Sequence, residues 1–285
     1  MMNDSDATMN LLHQALAEDL GDVGDVTSQA VFEEDDIAAA VIKSKDSGIL
    51  SGTRLLEPLF HCLSESLIVK VVADSGAAIE KGTRICELRG SIRAILAGER
   101  VALNFLQRLS GIATATHFLS AKITHTKAKL LDTRKTTPLL RRLEKEAVLH
   151  GGGRNHRFGL YDMILIKDTH VKAAGGVAKA IRKAQSFILE QGAAMAIEAE
   201  TQTVAEFQEA LACAPQRIML DNMSIADMAA CVSIARMAPS RVELEASGNV
   251  SESTITAIAE TGVDSISAGS ITHSVKALDI HLIVE

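Results

Sequence analysis

Cations and carboxylates recur along this chain at spacings that could do chemistry. The densest group is Asp132-Thr133-Arg134-Lys135, followed after one helical stretch by Gly151-Gly152-Gly153-Arg154-Asn155-His156-Arg157. Lys167 closes the apolar run Met163–Ile166, and Glu198, Glu200, Asp221, Glu245 and Ser247 fall in or at the ends of later runs. Adjacent cations repel unless an anion joins them. Arg134 with Lys135, His156 with Arg157, and Lys167 therefore read as a site for a multiply anionic substrate. Glu200 and Asp221 would stand opposite, able to hold a divalent ion or sugar hydroxyls, or else simply to neutralise neighbouring cations. The turns Ser247-Gly248-Asn249 and Ala268-Gly269-Ser270 follow the last two runs. Turns of that kind bind phosphate through backbone N–H groups. Arg141 and Arg142, near Glu144 and Glu146, read as a solvated, salt-bridged helix face. Three successive glycines exceed what one helix C-cap needs, and point to close approach of a ligand or to a moving loop.

The elements that must position these groups repeat as a unit. Short apolar runs occur at Lys129–Asp132, Met163–Lys167, Met195–Glu200, Arg217–Asp221, Val242–Ser247 and Ser265–Ser270, with amphipathic stretches between them. Each run is too short for a helix and too continuously apolar for a half-exposed strand, which is how a parallel strand buried on both faces reads. Polar residues at the carboxyl ends of such strands form the functional face of a (β/α) barrel. A helix over Leu139–Leu149, with Pro138 in its first turn, is expected to join the two cation-rich loops.

The first hundred residues differ. Asn10–Leu20 has helical spacing, Gly21–Ser28 reads as a polar turn, and glycine-broken β-like runs occupy Ala38–Lys43, Gly48–Ser51, Leu67–Ala73 and Thr83–Leu88. Pro58 suits the first turn of a helix. A long helix from about Ala97 to Thr124 follows, with Gly98 and Gly111 marking a start and a kink. The expected organisation is a small β-rich domain over 1–100, a linking helix and α/β catalytic domain over 101–273, and a partly apolar closing segment, 274–285, whose return to the first domain the sequence leaves open.

The chain has 285 residues, a net charge of −7, 47% hydrophobic and 23% charged residues. That describes a globular protein and disfavours a general nucleic-acid or acidic-membrane binder. No apolar run reaches membrane-spanning length. Met1–Leu12 lacks a basic segment followed by an apolar one, and Cys62, Cys86, Cys213 and Cys231 show no C-x-x-C spacing. A cytoplasmic protein with reduced thiols is expected. The absence of G-x-x-x-x-G-K-[ST], H-E-x-x-H and G-x-S-x-G, and of G-x-G-x-x-G after a strand, argues against P-loop NTPases, zincins, α/β-hydrolases and Rossmann dehydrogenases.

Longer segments carry a resemblance. Glu18-Asp19-Leu20-Gly21, Asp132-Thr133-Arg134-Lys135-Thr136-Thr137-Pro138, Asn155-His156-Arg157-Phe158-Gly159-Leu160-Tyr161-Asp162, Leu165-Ile166-Lys167-Asp168, Leu220-Asp221-Asn222-Met223 and Leu244-Glu245-Ala246-Ser247-Gly248 resemble the quinolinate phosphoribosyltransferase family, in the same order and from about residue 10 to the end. The resemblance implies an open β-sandwich-like N-terminal domain and an incomplete α/β barrel of the type II phosphoribosyltransferase kind. It implies transfer of a phosphoribosyl group from phosphoribosyl pyrophosphate to quinolinate with loss of CO2, in NAD synthesis, with Mg2+. It further implies a homodimer or higher homo-oligomer in which Arg100 reaches the neighbouring subunit's site. Arg134, Lys135, His156, Arg157 and Lys167 would bind carboxylates and phosphates, and Glu200 and Asp221 would hold the ribose and Mg2+. Lys135, Lys167, Glu200 and Asp221 would be the catalytic set. Ser247, Gly248, Asn249, Ala268, Gly269 and His273 would surround the phosphates. Three departures stand out: Leu139 after Pro138 where the family usually has Gly, Thr169 where Asn is usual, and Asn249 where a second Gly is usual. A paralogue linked to molybdenum transport typically loses the Asn-His-Arg and Ile-Lys-Asp segments present here, and a non-catalytic sensor would not need every charged strand end.

Overall fold

The computed structural model describes residues 4–192 and 194–285. The first three residues of the start read above lie outside it. Contacts divide the chain into two compact units: Met1–Ala115 with Leu149–Gly151 and Val275–Glu285, and Thr116–Val148 with Gly152–Ser274.

In the first unit, α1 spans Asp4–Leu20 and buries Leu12 and Leu16, one turn apart. The turn after it ends sooner than its sequence indicates. Asp25 caps a short helix, α2 (Val26–Val31), by accepting from the N–H groups of Thr27 and Ser28 at 3.0 and 3.1 Å. Six residues are too few to show an apolar period, so the cap was the one legible sign. The strands are β1 (Ile37–Ser44), β2 (Gly48–Ile49), β3 (Ile68–Val71), β4 (Ala78–Ile79) and β5 (Arg84–Ser91), with α3 (Leu56–His61) carrying Pro58 in its first turn. The antiparallel sheet runs closing strand Ile280–Val284, β1, β5, β3, and β2 pairs with β4 as a separate ribbon. Val41, Ile42, Ile85 and Cys86 are fully buried.

Helix α4 (Ile92–Ala121) begins at Ile92 rather than near Ala97. Gly98 therefore lies inside it. A Cβ there would stand 2.7 Å from the Phe60 ring, and one on Gly111 would stand 2.3 Å from the Lys276 carbonyl oxygen. Both glycines are explained by close packing, which outweighs their helix cost of about 1 kcal/mol each.

The second unit alternates strand and helix: β6 (Lys129–Leu131), α5 (Arg141–His150), β7 (Ile164–Ile166), α6 (Asp168–Ala174), α7 (Val177–Gln191), β8 (Ile197–Thr201), α8 (Val204–Leu211), β9 (Arg217–Asp221), α9 (Ile225–Arg236), β10 (Glu243–Ser247), α10 (Ile255–Glu260), β11 (Ser265–Ser267) and α11 (Ser270–His273). The six strands form one parallel sheet in the order β6-β11-β10-β9-β8-β7, with β6 and β7 as its outermost strands and a single further bridge from Leu131 of β6 to Arg154. Each of the six apolar runs became a strand, and the sheet is an incomplete barrel.

One expectation fails locally. Helix α5 starts at Arg141, so Pro138 precedes it, and Leu139 adopts φ +67° with 82% of its surface exposed. The glycines after α5 have separate reasons. Gly152 adopts φ +85° in open space, whereas a Cβ on Gly153 would stand 2.8 Å from both Thr116 and Val148 side chains. Packing of the chain on itself accounts for Gly153 without a ligand.

Candidate active site

The carboxyl ends of β6 to β11 open on a cavity of about 380 Å3 lined by Thr133, Arg134, Lys135, His156, Arg157, Leu165, Lys167, Asp168, Glu200, Met219, Asp221, Asn222, Glu245, Ser247 and Ser267. Strand alternation puts residues two apart on one side. That is why Glu245 and Ser247 both reach the cavity from β10, and Met219 and Asp221 from β9.

The cations arrive on two arms. Beyond β6, Lys135 N–H donates to Thr133 Oγ1 (3.0 Å), and the Lys135 carbonyl accepts from Thr272 Oγ1 (2.7 Å). Arg141 is no solvated surface residue. It donates to Thr136 Oγ1 (3.0 Å), the Phe158 carbonyl (3.2 Å) and the Arg134 carbonyl (3.3 Å), bracing both arms. On the second arm, Arg157 Nη1 donates to the Met163 carbonyl at 3.1 Å. Arg134 Nε is buried without a hydrogen-bond partner, and the Arg134 charge lowers the pKa of Arg157 after burial, the larger cause. An unsatisfied guanidinium nitrogen beside a second guanidinium is the environment an anion completes.

Across the cavity, Lys167 Nζ lies 3.6 Å from Glu200 Oε1, and Asp168 N–H donates to Glu200 Oε2 at 3.2 Å. Burial raises the Glu200 pKa, Lys167 opposes this, and the Asp221 charge adds to it. Asp221 accepts from Asn222 Nδ2 at 3.0 Å. Two carboxylates within each other's field, at a cavity open to water, suit a hard divalent ion that keeps most ligands from water or phosphate.

Beneath lies a buried cluster. His156 Nε2 stands 3.0 Å from Glu198 Oε2 and 3.4 Å from Glu245 Oε2, neither contact aligned as a hydrogen bond, and Arg217 Nη1 is 3.0 Å from Glu245 Oε2 and 3.8 Å from Glu198 Oε2. Burial alone would lower the His156 pKa, but the two carboxylates raise it to about 9, while burial and Glu245 push Glu198 up to about 7. The hydrogen bond at the other ring nitrogen decides the microstate. Arg157 N–H donates to His156 Nδ1 at 2.7 Å, which requires that Nδ1 carry no proton. The ring is then neutral with its proton on Nε2, and the cluster's additional proton rests on the carboxylate pair. His156, Glu198 and Glu245 have the spacing of metal ligands. A nitrogen that carries the ring proton cannot ligate, and Arg217 already occupies Glu245, so this group does not fit a metal.

Of the residues singled out in the sequence, Arg134, Lys135, His156, Arg157, Lys167, Glu200, Asp221 and Ser247 share this cavity. His156 forms part of its wall but offers it no free nitrogen, since Nε2 is sealed from solvent and Nδ1 is engaged. Gly248, Asn249, Ala268, Gly269 and His273 are outside the wall. A Cβ on Gly248 would stand 2.1 Å from Asn222 Oδ1, and one on Gly269 would stand 2.8 Å from Lys135 Cδ and 3.1 Å from the His273 ring, so both turns back lining residues. Asn249 adopts φ +51°, the left-handed conformation that Asn tolerates, and donates to Asn222 Oδ1 at 3.2 Å. Arg100 is exposed on α4, in the first unit. The sequence reading missed Thr133 and Ser267, and the apolar Leu165 and Met219, as lining residues. Strand-end position was the available signal for the two polar ones.

A parallel, barrel-like sheet with cations and paired carboxylates converging at its carboxyl edge defines an α/β-barrel enzyme for a polyanionic ligand. Comparison with known proteins narrows the class. The family model described as "Quinolinate phosphoribosyl transferase, C-terminal domain" matches residues 112–283, and its N-terminal counterpart matches residues 25–110. A relative in Nicotiana tabacum, "Quinolinate phosphoribosyltransferase [decarboxylating] 1b", is 42% identical over 96% of this chain and 81% of its own. The "Probable nicotinate-nucleotide pyrophosphorylase [carboxylating]" of Bacillus subtilis is also 42% identical, over 95% of this chain and 91% of its own. The solved nicotinate-nucleotide pyrophosphorylase of Francisella tularensis superposes with a TM-score of 0.92 at 40% identity, covering 100% of this chain and 98% of that one. The chain belongs to the quinolinate phosphoribosyltransferase family.

Proposed function

We propose that this chain transfers the phosphoribosyl group of phosphoribosyl pyrophosphate to quinolinate and releases pyrophosphate and CO2, giving nicotinate mononucleotide for NAD synthesis. The observation that carries the reading is the pairing of two cation arms, one with an unsatisfied buried Arg134 Nε, against Glu200 and Asp221 in one cavity. Arg134, Lys135, Arg157 and Lys167 take the substrate's carboxylates and phosphates. As the bond from ribose C1 to pyrophosphate breaks, the sugar gains oxocarbenium character, which Glu200 and Asp221 steady while the cations hold the leaving group. The pyridine nitrogen forms the new bond to C1. The ring then accepts the electron pair of the breaking C2–carboxylate bond, CO2 departs, and a proton is taken up at C2. Glu200 and Asp221 would also hold Mg2+, which supplies charge neutralisation at the pyrophosphate.

Arg100, exposed on α4, is read as completing the site of a second copy of the chain in a homodimer or larger homo-oligomer. No helix among the described residues is long and apolar enough to cross a membrane. The four cysteines are free thiols, which suits the reducing cytoplasm. Purified protein mixed with quinolinate, phosphoribosyl pyrophosphate and Mg2+ should release pyrophosphate and CO2 in equal amounts. Pyrophosphate release that ignores quinolinate would overturn this reading.

A further inference from the structure

Two cation arms that repel each other must be held together before any substrate arrives, and one buried ion pair stands where that can be done. Asp132, immediately after β6, is fully buried, as is Lys145 from α5. The Lys145 ammonium donates to Asp132 Oδ1 at close range. The same oxygen accepts the His156 backbone N–H at 2.8 Å, and Oδ2 accepts from Asn155 Nδ2 at 2.6 Å. Asp132 N–H donates to the Arg154 carbonyl at 3.1 Å. Lys145 Nζ donates to the His156 carbonyl at 3.0 Å, and the Lys145 carbonyl accepts from Asn155 Nδ2 at 2.9 Å. Apart from the bond within the pair, each of these bonds ends on residues 154–156. Arg134 and Lys135 follow Asp132 by two and three positions in the chain, and Arg157 follows His156 by one.

We propose that Asp132 and Lys145 are positioning residues for the transfer reaction: they clamp the Arg134–Lys135 arm to the His156–Arg157 arm so that both meet one dianion without first having to be drawn together. The proposal rests on the functional reading above. Neither side chain lines the cavity, so the pair acts through the two loops and not by touching substrate. Preorganisation of this kind lowers the cost of gathering like charges, and misplacement of about 1 Å is expensive. A buried pair contributes little net stability but is costly to break singly, so an ordinary structural pair would show itself in melting temperature alone.

The test separates those outcomes. Asp132→Asn or Lys145→Met leaves one buried charge unpaired, and each should lower the melting temperature strongly. The double variant Asp132→Asn with Lys145→Met removes both charges and should recover much of that loss. Positioning predicts that the folded double variant still has a KM for quinolinate raised about tenfold or more, with a smaller fall in kcat, because two of the bonds to His156 and its neighbours are gone or weakened. Asn155→Ala leaves the ion pair in place and removes one strut. It should raise the quinolinate KM several-fold, with a fall in melting temperature smaller than that of either single charge variant, because the ion pair stays intact and, of its charged atoms, only Asp132 Oδ2 loses its partner. A double variant whose KM returns to the wild-type value together with its melting temperature overturns the proposal, and so does a wild-type KM in Asn155→Ala. Wild-type protein that binds no quinolinate by calorimetry overturns the functional reading and this clamp with it, whereas wild-type binding with unmoved variants overturns the clamp alone.

Discussion

His156 shows how a residue type can be legible while its use is not. Its neighbours in sequence are Asn155 and Arg157, and a ligand role was the natural reading. The structure instead spends Nδ1 on the Arg157 N–H and seals Nε2 against Glu198 and Glu245. His156→Asn keeps an acceptor where Nδ1 stands, while His156→Gln places its amide where Nε2 stands. The Asn variant should therefore keep a quinolinate KM closer to wild type than the Gln variant does, and steady-state kinetics on the two checks it. The reverse order would mean that the ring turns to meet the ligand. Arg134, Lys135, Lys167, Glu200 and Asp221 were legible because strand-end position places them, and Arg157 because it follows a glycine-rich loop beside other polar residues. Glu198 and Glu245 share faces with Glu200 and Ser247, yet their burial together under His156 depends on three separate elements, and sequence spacing carries no such information.

At the scale of elements, the barrel strands were plain because a strand buried on both faces is a short unbroken apolar run. Short or irregular pieces were not: α2 and β4 are too brief for periodicity, and the start of α5 was obscured by Pro138. That last segment carries a removable strain. A non-glycine residue in the left-handed region costs about 1–2 kcal/mol, partly offset by the greater unfolded-state freedom of glycine. Leu139, at φ +67° and exposed, should therefore yield roughly 0.5–1 kcal/mol of stability on replacement by Gly, read as a rise in melting temperature. An unchanged or lower melting temperature would show that the loop conformation is not strained. The buried cluster makes an element-level prediction for pH. The cluster holds its titrating protons more tightly in the folded chain than free Glu198 and His156 would, their ordinary values of 4.5 and 6.5 rising to about 7 and about 9 for the group as a whole. The folded state then binds more protons than the unfolded one between those limits, so the contribution of these two protonations is lost as pH rises through 7 to 9, a range in which Glu245, held below its ordinary value, stays charged. Melting temperature followed across that range should fall, and fall less steeply in Glu198→Gln. Parallel curves would remove the cluster from the account.

At the scale of the whole molecule, the closing segment returns to the first sheet as the strand Ile280–Val284 beside β1, a pairing between residues more than two hundred positions apart that no local pattern announces. The family's N- and C-terminal models together span 25–110 and 112–283. Arg100, in the first of these, makes the prediction that belongs to this scale. Arg100→Ala and Lys135→Ala chains, each inactive alone, should regain part of their activity when mixed and allowed to exchange subunits. Verified mixed oligomers without activity would contradict a shared site.

The central claim is that two cation arms are held together for two adjacent carboxylates. Nicotinate lacks the second carboxylate, and its binding would leave desolvated cations unpaired, a penalty that reaches about 10⁴-fold or more where a site is built around the missing group. The direct measurement is kcat/KM for quinolinate and for nicotinate, with pyrophosphate release followed at saturating phosphoribosyl pyrophosphate and Mg2+. The account predicts that quinolinate is preferred by several orders of magnitude. Comparable values for the two acids would contradict it.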